Sequence, residues 1–158
     1  LISHFFNVIG EVGNKKGCLL VQLPPSKSIQ HFQQIKCLLK TLRNNDLRKQ
    51  WNISLEFRNV SLYVEEIYEL LKNYHIGMVI HDKKPSNSPM IDQQLDFVYL
   101  RFHGPNGNYK DSYAEDVLSE YASYVNEWLN EDKKVYVYFN KTLGSPYGNL
   151  NTLKNFMS

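Results

Sequence analysis

The sequence has little cysteine and little net charge. Two of its 158 residues are cysteines, and 18 lysines and arginines nearly cancel 16 aspartates and glutamates, for a net charge of +2. Cys18 and Cys37 sit in strand-like and helix-like apolar settings, so both are expected as buried free thiols, not as a disulfide or metal ligands, which fits a reducing cytoplasm. A charge of +2 is too small to draw nucleic acid or an anionic membrane through the overall field, so any anion recognition must be local. No apolar run approaches the roughly twenty residues that a membrane span needs, and the first residues carry no basic leader pattern. Also missing are a G-x-G-x-x-G or G-K-[ST] turn after any apolar run and an H-E-x-x-H pair, the signatures of dinucleotide, nucleotide and zinc sites. No cofactor and no metal are therefore expected.

Present instead are ordinary globular proportions, 42% hydrophobic and 22% charged residues, enough for one domain with a sizeable core. Five short apolar runs read as buried strands: CLLVQL (18–23), ISLEF (53–57), GMVIH (77–81), FVYLRF (97–102) and VYVYF (135–139). Helical stripes lie between them. Ile29, Phe32, Ile35, Leu38, Leu39 and Leu42 form one, Ile67, Leu70 and Leu71 a second, and Val117, Leu118, Tyr121, Val125, Trp128 and Leu129 a third. Ser112 and Glu115 have capping-box spacing before the third. Residues 1–12 and 149–158 read as shorter terminal helices, and 83–89 as a polar loop. Strand and helix in alternation predict a parallel α/β sheet, either an open sheet or a (β/α)8 barrel.

Residues two apart on a strand share a face. Sorting by parity gives one greasy face, including Leu19, Val21, Leu55, Val98, Leu100, Val135 and Val137, which should meet helices. The other face holds Gln22, Glu56 with Arg58, Ile80 with Asp82, Tyr99 with Arg101 and His103, and Tyr138 with Asn140. On that face polarity rises only toward the carboxyl end of each strand. Sites in parallel α/β folds are built at those ends, so the parity pattern selects a barrel mouth.

Two readings of these residues stand side by side. As an enzyme acting on an anionic or phosphate-bearing substrate, Arg58 and Arg101 would clamp the anion, His103 would transfer a proton, and Glu56 or Asp82 would orient it or act as base. Gly104-Pro105 would let the chain turn away without covering the imidazole. Gln22, Tyr113, Tyr138 and Asn140 would complete substrate binding. As a binding module, possible for nucleic acid, the same arginines would meet phosphate while Tyr109 and Tyr113 stack on bases. Structural alternatives exist throughout: Glu56 can pair with Arg58 or Arg101, and His103 can bond a loop carbonyl. Convergence of Glu56, Asp82 and His103 on a metal is a further variant without a supporting motif.

The segments LEFRNVS, FVYLRFHGPNGNYKDSY and VYVYFNK, with GCLLVQLPPS and GMVIHD, resemble in order the YecE-like family, domain of unknown function 72. That resemblance implies a (β/α)8 barrel, of which this chain would supply the C-terminal five strand–helix units as one incomplete domain, beginning inside the helix before the fourth strand. It implies no established activity. Position by position, the family's E-F-R falls on Glu56, Phe57 and Arg58, its R-x-H-G on Arg101, His103 and Gly104, a G-S-Y-like segment on Asp111, Ser112 and Tyr113, and Y-F-N on Tyr138, Phe139 and Asn140. Asn59 stands where the family usually has histidine, Leu62 near a usual tryptophan, and Lys141-Thr142 in place of Asn-Asp. These departures argue against a mechanism that needs a second histidine after E-F-R or an acid at the last strand.

Overall fold

A computed structural model describes residues 1–140 and 143–157, so the Lys141-Thr142 departure lies outside the described residues. Five parallel strands, in chain order across the sheet, are joined by helices: an α/β fold. The chain clusters into two compact units, residues 1–78 and 79–158.

The first unit holds α1 (Ile2–Gly10), β1 (Cys18–Gln22), α2 (Phe32–Asn45), β2 (Asn52–Glu56), α3 (Glu65–Asn73) and the start of β3 (Gly77–His81). β1 runs beside β2 with Leu20 opposite Ser54 and Gln22 opposite Glu56, and β2 meets β3 with Leu55 opposite Met78. The expected apolar stripes become the core: Ile35, Leu39 and Leu42 of α2 and Ile67, Leu70 and Leu71 of α3 are buried with Ile53, Leu55 and Phe57. Truncating the fully buried Leu39 to alanine would cost about 2–5 kcal/mol. Arg43 closes this unit at the end of α2. It donates to the carbonyls of Trp51, Tyr74 and His75 and to Asp46, whose carboxylate also accepts the amides of Gln50 and Trp51. Asn59 caps the short 3-10 turn Val60–Leu62 by accepting from Ser61 N and donates to the Pro25 carbonyl.

The cysteine expectation is corrected in part. Cys18 is half-buried beside Ser54 Oγ, at 3.5 Å, whereas Cys37 is exposed on α2. Position 37 lies off the Ile35–Leu39–Leu42 stripe, so an apolar neighbourhood in sequence did not mean burial.

The second unit holds the rest of β3, β4 (Phe97–Phe102), α4 (Glu115–Asn130), β5 (Lys134–Phe139) and α5 (Pro146–Phe156). Its core packs Ile80, Val98, Leu100 and Phe102 under Leu118 and Val125 of α4, with Val135, Val137 and Phe139 alongside. The greasy parity therefore meets a helix, as its composition predicts. Ser145 accepts from Gly148 N and Pro146 opens α5, a well-formed helix start.

The capping box expected at Ser112 and Glu115 does not form. α4 begins at Glu115 with Ala114 at its N-cap, and Ser112 Oγ instead accepts from Ser145 N at 3.3 Å. The cause is Tyr113, whose amide and carbonyl are both held by the Asn149 side chain at 3.3 and 3.5 Å. Those contacts prevent the chain from winding at Tyr113, so a tertiary demand overrides a local one. Glu115 and Asp116 still occupy the first turn, where the helix dipole favours acids.

Candidate functional site

The sequence-derived residues of the first unit do assemble at the carboxyl ends of β1 and β2. Gln22 and Glu56 are opposite one another in register. Arg58, just past β2, forms an ion pair with the fully buried Glu56 carboxylate and donates from Nη2 to Gln22 Oε1 at 3.3 Å. Burial and the Glu56 charge together push the Tyr63 phenol well above its ordinary pKa. Of the alternatives for Glu56, the pairing with Arg58 is present.

In the second unit the register settles which side chains share a face. Val79 lies opposite Tyr99, His81 opposite Arg101, and Arg101 opposite Tyr138. The expectation that Ile80 and Asp82 belong to this face is corrected. Ile80 points into the helix-covered core, and the β3 residue level with Arg101 is His81. An isolated pentapeptide such as GMVIH has no internal marker of phase, because both of its parities are apolar until the last residue. His81 is thus the residue that sequence reasoning missed, although the polar end of GMVIH could have signalled it.

Asp82 lies one residue beyond β3 and reaches its partners from there. Its Oδ1 accepts the His103 amide at 2.7 Å and stands 3.3 Å from His103 Nδ1. Its Oδ2 accepts the Tyr113 hydroxyl, which in turn accepts the Gly104 amide at 2.6 Å. Because that hydroxyl receives one hydrogen bond from a backbone N–H, its own hydrogen is directed at Asp82. Burial and the bonded carboxylate push the Tyr113 phenol far above its ordinary pKa. Asp82, His103 and Tyr113 are therefore brought together.

Two expectations about exposure change. His103 is 0% exposed, because the chain after it folds back instead of turning away. Gly104 has φ +101° and its α-carbon faces the Lys110 backbone with no room for a side chain, and the Tyr109 ring stands edge-on to the imidazole at 5.3 Å. Lys83 pins this cover, donating to Gly107 O at 2.6 Å with its ammonium 4.3 Å from the Tyr109 ring centre. Tyr113 is buried and its hydroxyl is committed to Asp82, so it offers no face for base stacking. Tyr138 is 45% exposed and stacks on Tyr99 at 4.9 Å with 19° between the rings. Asn140 continues the ladder, its amide donating to Phe102 O at 2.7 Å.

Among the described residues no three His, Cys, Asp or Glu side chains are grouped to hold a metal. No helix among them is long and apolar enough to cross a membrane.

The fold has solved counterparts. A DUF72 family protein from Thermotoga maritima MSB8 is 26% identical with a TM-score of 0.71, over 98% of this chain and 63% of that one. Another from Enterococcus faecalis V583 is 22% identical with a TM-score of 0.73, over 98% of this chain and 66% of that one. The chain thus spans less than two-thirds of the length of either. No curated protein matches. The family model described as "Protein of unknown function DUF72" matches residues 1–158, end to end, and the chain belongs to that family.

Proposed function

We propose that the chain is a hydrolase-type protein that binds an anionic, phosphate-bearing group at the carboxyl ends of β3, β4 and β5. The observation that carries this reading is the register that sets His81, Arg101 and Tyr138 side by side on one face at the ends of three adjacent parallel strands. Ligands of parallel α/β sheets sit at those ends. Strictly sequential strand order supports taking the five units as part of a (β/α)8 barrel, since a doubly wound sheet reverses its order.

In this reading Arg101 anchors the anion, because a guanidinium offers paired donors in one plane that match two phosphate oxygens. His103 takes a proton, its ring held by Asp82 as an orienting carboxylate. Tyr109 is the cover that must move for substrate to reach the imidazole, and its closure keeps bulk water from the site. Arg58 is assigned to Glu56, because an ion pair with so little exposure is costly to break. Tyr138 and Asn140 border the anion.

Phosphate titration by calorimetry tests the anchor. Arg101→Lys keeps the charge and should weaken binding about tenfold, the loss of roughly 1.4 kcal/mol of charge-assisted hydrogen bonding. Unchanged affinity in a folded variant sinks the anchor. A second reading, a binding module without turnover, is favoured by the exposed ring of Tyr138 stacked on Tyr99. It expects affinity for single-stranded nucleic acid that falls steeply with salt and is lost in Tyr138→Ala.

A further inference from the structure

We infer that Lys83 is an anion-triggered latch: its ammonium holds the strap of residues 104–111 closed, and an arriving phosphate-type anion takes that ammonium and frees the strap. The inference rests on the anion reading above. It adds a second cation and the event that moves the cover. His81 is level with Arg101, and Lys83 follows two residues later at the same end of the sheet.

The base of the latch is fixed. The Lys83 amide donates to His81 Nδ1 at 3.1 Å, and its carbonyl accepts the Ser86 amide at 3.0 Å. From this anchored turn the side chain crosses to the strap, donating to Gly107 O at 2.6 Å with its ammonium 4.3 Å from the Tyr109 ring centre. Gly107 also packs on the turn itself, since a β-carbon there would stand 2.6 Å from Lys84 N. One side chain thus ties two points of the strap to the exit of β3.

The identity of the partners carries the inference. A carbonyl oxygen and a ring face are both neutral, and among the described residues no carboxylate pairs with Lys83. An ammonium has three donors, and each gains roughly twice as much from an ionised acceptor as from a neutral one. In the closed strap one donor is held by Gly107 and one side faces the ring; with the strap open all three can meet an anion. The anion therefore binds the open form better, and that difference is what shifts the equilibrium. The strap is also built to let go. Tyr109 and Asp111 both sit at φ +65°, a left-handed conformation that is costly for a residue with a side chain and recurs in clamps and switches. Of residues 105–110 only Gly107 is buried, and it has no side chain to strand in water.

The test is amide hydrogen exchange at Gly107 and Tyr109, whose N–H groups bond Gly104 O and His103 O in the closed strap, with the β4 amide of Leu100 as reference. Inorganic phosphate at calorimetric saturation should speed both strap amides about tenfold and leave Leu100 unchanged, whereas sodium chloride of equal ionic strength should not. Lys83→Met keeps the aliphatic stem without the charge. There both amides should exchange about tenfold faster with no phosphate present, and should no longer respond to it. Exchange that is unchanged or slowed by bound phosphate, or a Lys83→Met protein that matches wild type, overturns the latch. If that variant does not fold, the wild-type phosphate experiment decides alone. Phosphate affinity that depends on Arg101 while the strap stays shut overturns the latch and leaves the anion reading standing. Strap release that persists in Arg101→Lys at unchanged affinity upholds the latch and sinks the Arg101 anchor. Absence of phosphate binding to the wild-type protein sinks both.

Discussion

The Tyr113 hydroxyl hydrogen-bonds the Asp82 carboxylate across 31 residues of chain, and the same oxygen receives the Gly104 amide. One phenol thereby ties the exits of β3 and β4 to the residues that lead into α4. Removing it in Tyr113→Phe leaves a buried amide and a carboxylate oxygen each short of a partner. A loss of about 1–3 kcal/mol is expected in denaturant unfolding, against near neutrality if water replaces the hydroxyl.

Alkaline behaviour follows from the same phenols. Tyr63 and Tyr113 have raised pKa values, and Tyr121 is pushed up to about 12, in each case first by burial. Below the ordinary value of 10.0 both folded and unfolded chains keep these protons, and the full contribution to stability is present. Above it the unfolded chain ionises first, so stability falls as pH rises toward the folded values. Phenolate absorbance should rise early for exposed tyrosines, while these three ionise late or only with unfolding. Simultaneous titration of all eleven tyrosines would contradict the burial.

The thiols should separate kinetically. Cys37 is exposed, while burial pushes Cys18 up to about 11 despite its contact with Ser54. Thiolate is the reactive form. Alkylation near pH 8 should therefore modify one thiol quickly and the other slowly, with Cys37→Ser removing the fast phase. Equal rates in the folded protein would refute the assignment.

Arg43 tests the first unit. Its guanidinium satisfies three carbonyls and Asp46 from a nearly buried position. Arg43→Ala should cost about 3–5 kcal/mol by leaving Asp46 buried without its cation, and Arg43→Lys should recover little, since an ammonium cannot span the same carbonyls. Full stability in either variant would show that the hub is dispensable.

Gly107 reports on the cover over His103. It has φ +65°, and a β-carbon there would stand 2.6 Å from Lys84 N. Gly107→Ala should displace the segment that Lys83 pins, increasing hydrogen exchange of the Tyr109 amide, which bonds the His103 carbonyl. Unaltered exchange would mean that the segment yields elsewhere.

Sequence alone determined the elements and most of their faces. GMVIH and FVYLRF are strands at the limits read from composition, and the parity of Tyr99–Arg101 and Tyr136–Tyr138 holds because polar and apolar residues alternate there. The Glu56–Arg58–Gln22 cluster was legible for the same reason. Tertiary structure decided what lacks a local marker. β3 is buried along its whole length, so its phase comes only from pairing, which put His81 rather than Asp82 level with Arg101. The helix start at Glu115 was moved by Asn149 gripping Tyr113 from 36 residues away. Whether His103 faced solvent depended on Tyr109 and Lys83 folding back over it, a contact that becomes favourable only once β3 and β4 are paired and the entropy of closing the loop has been met.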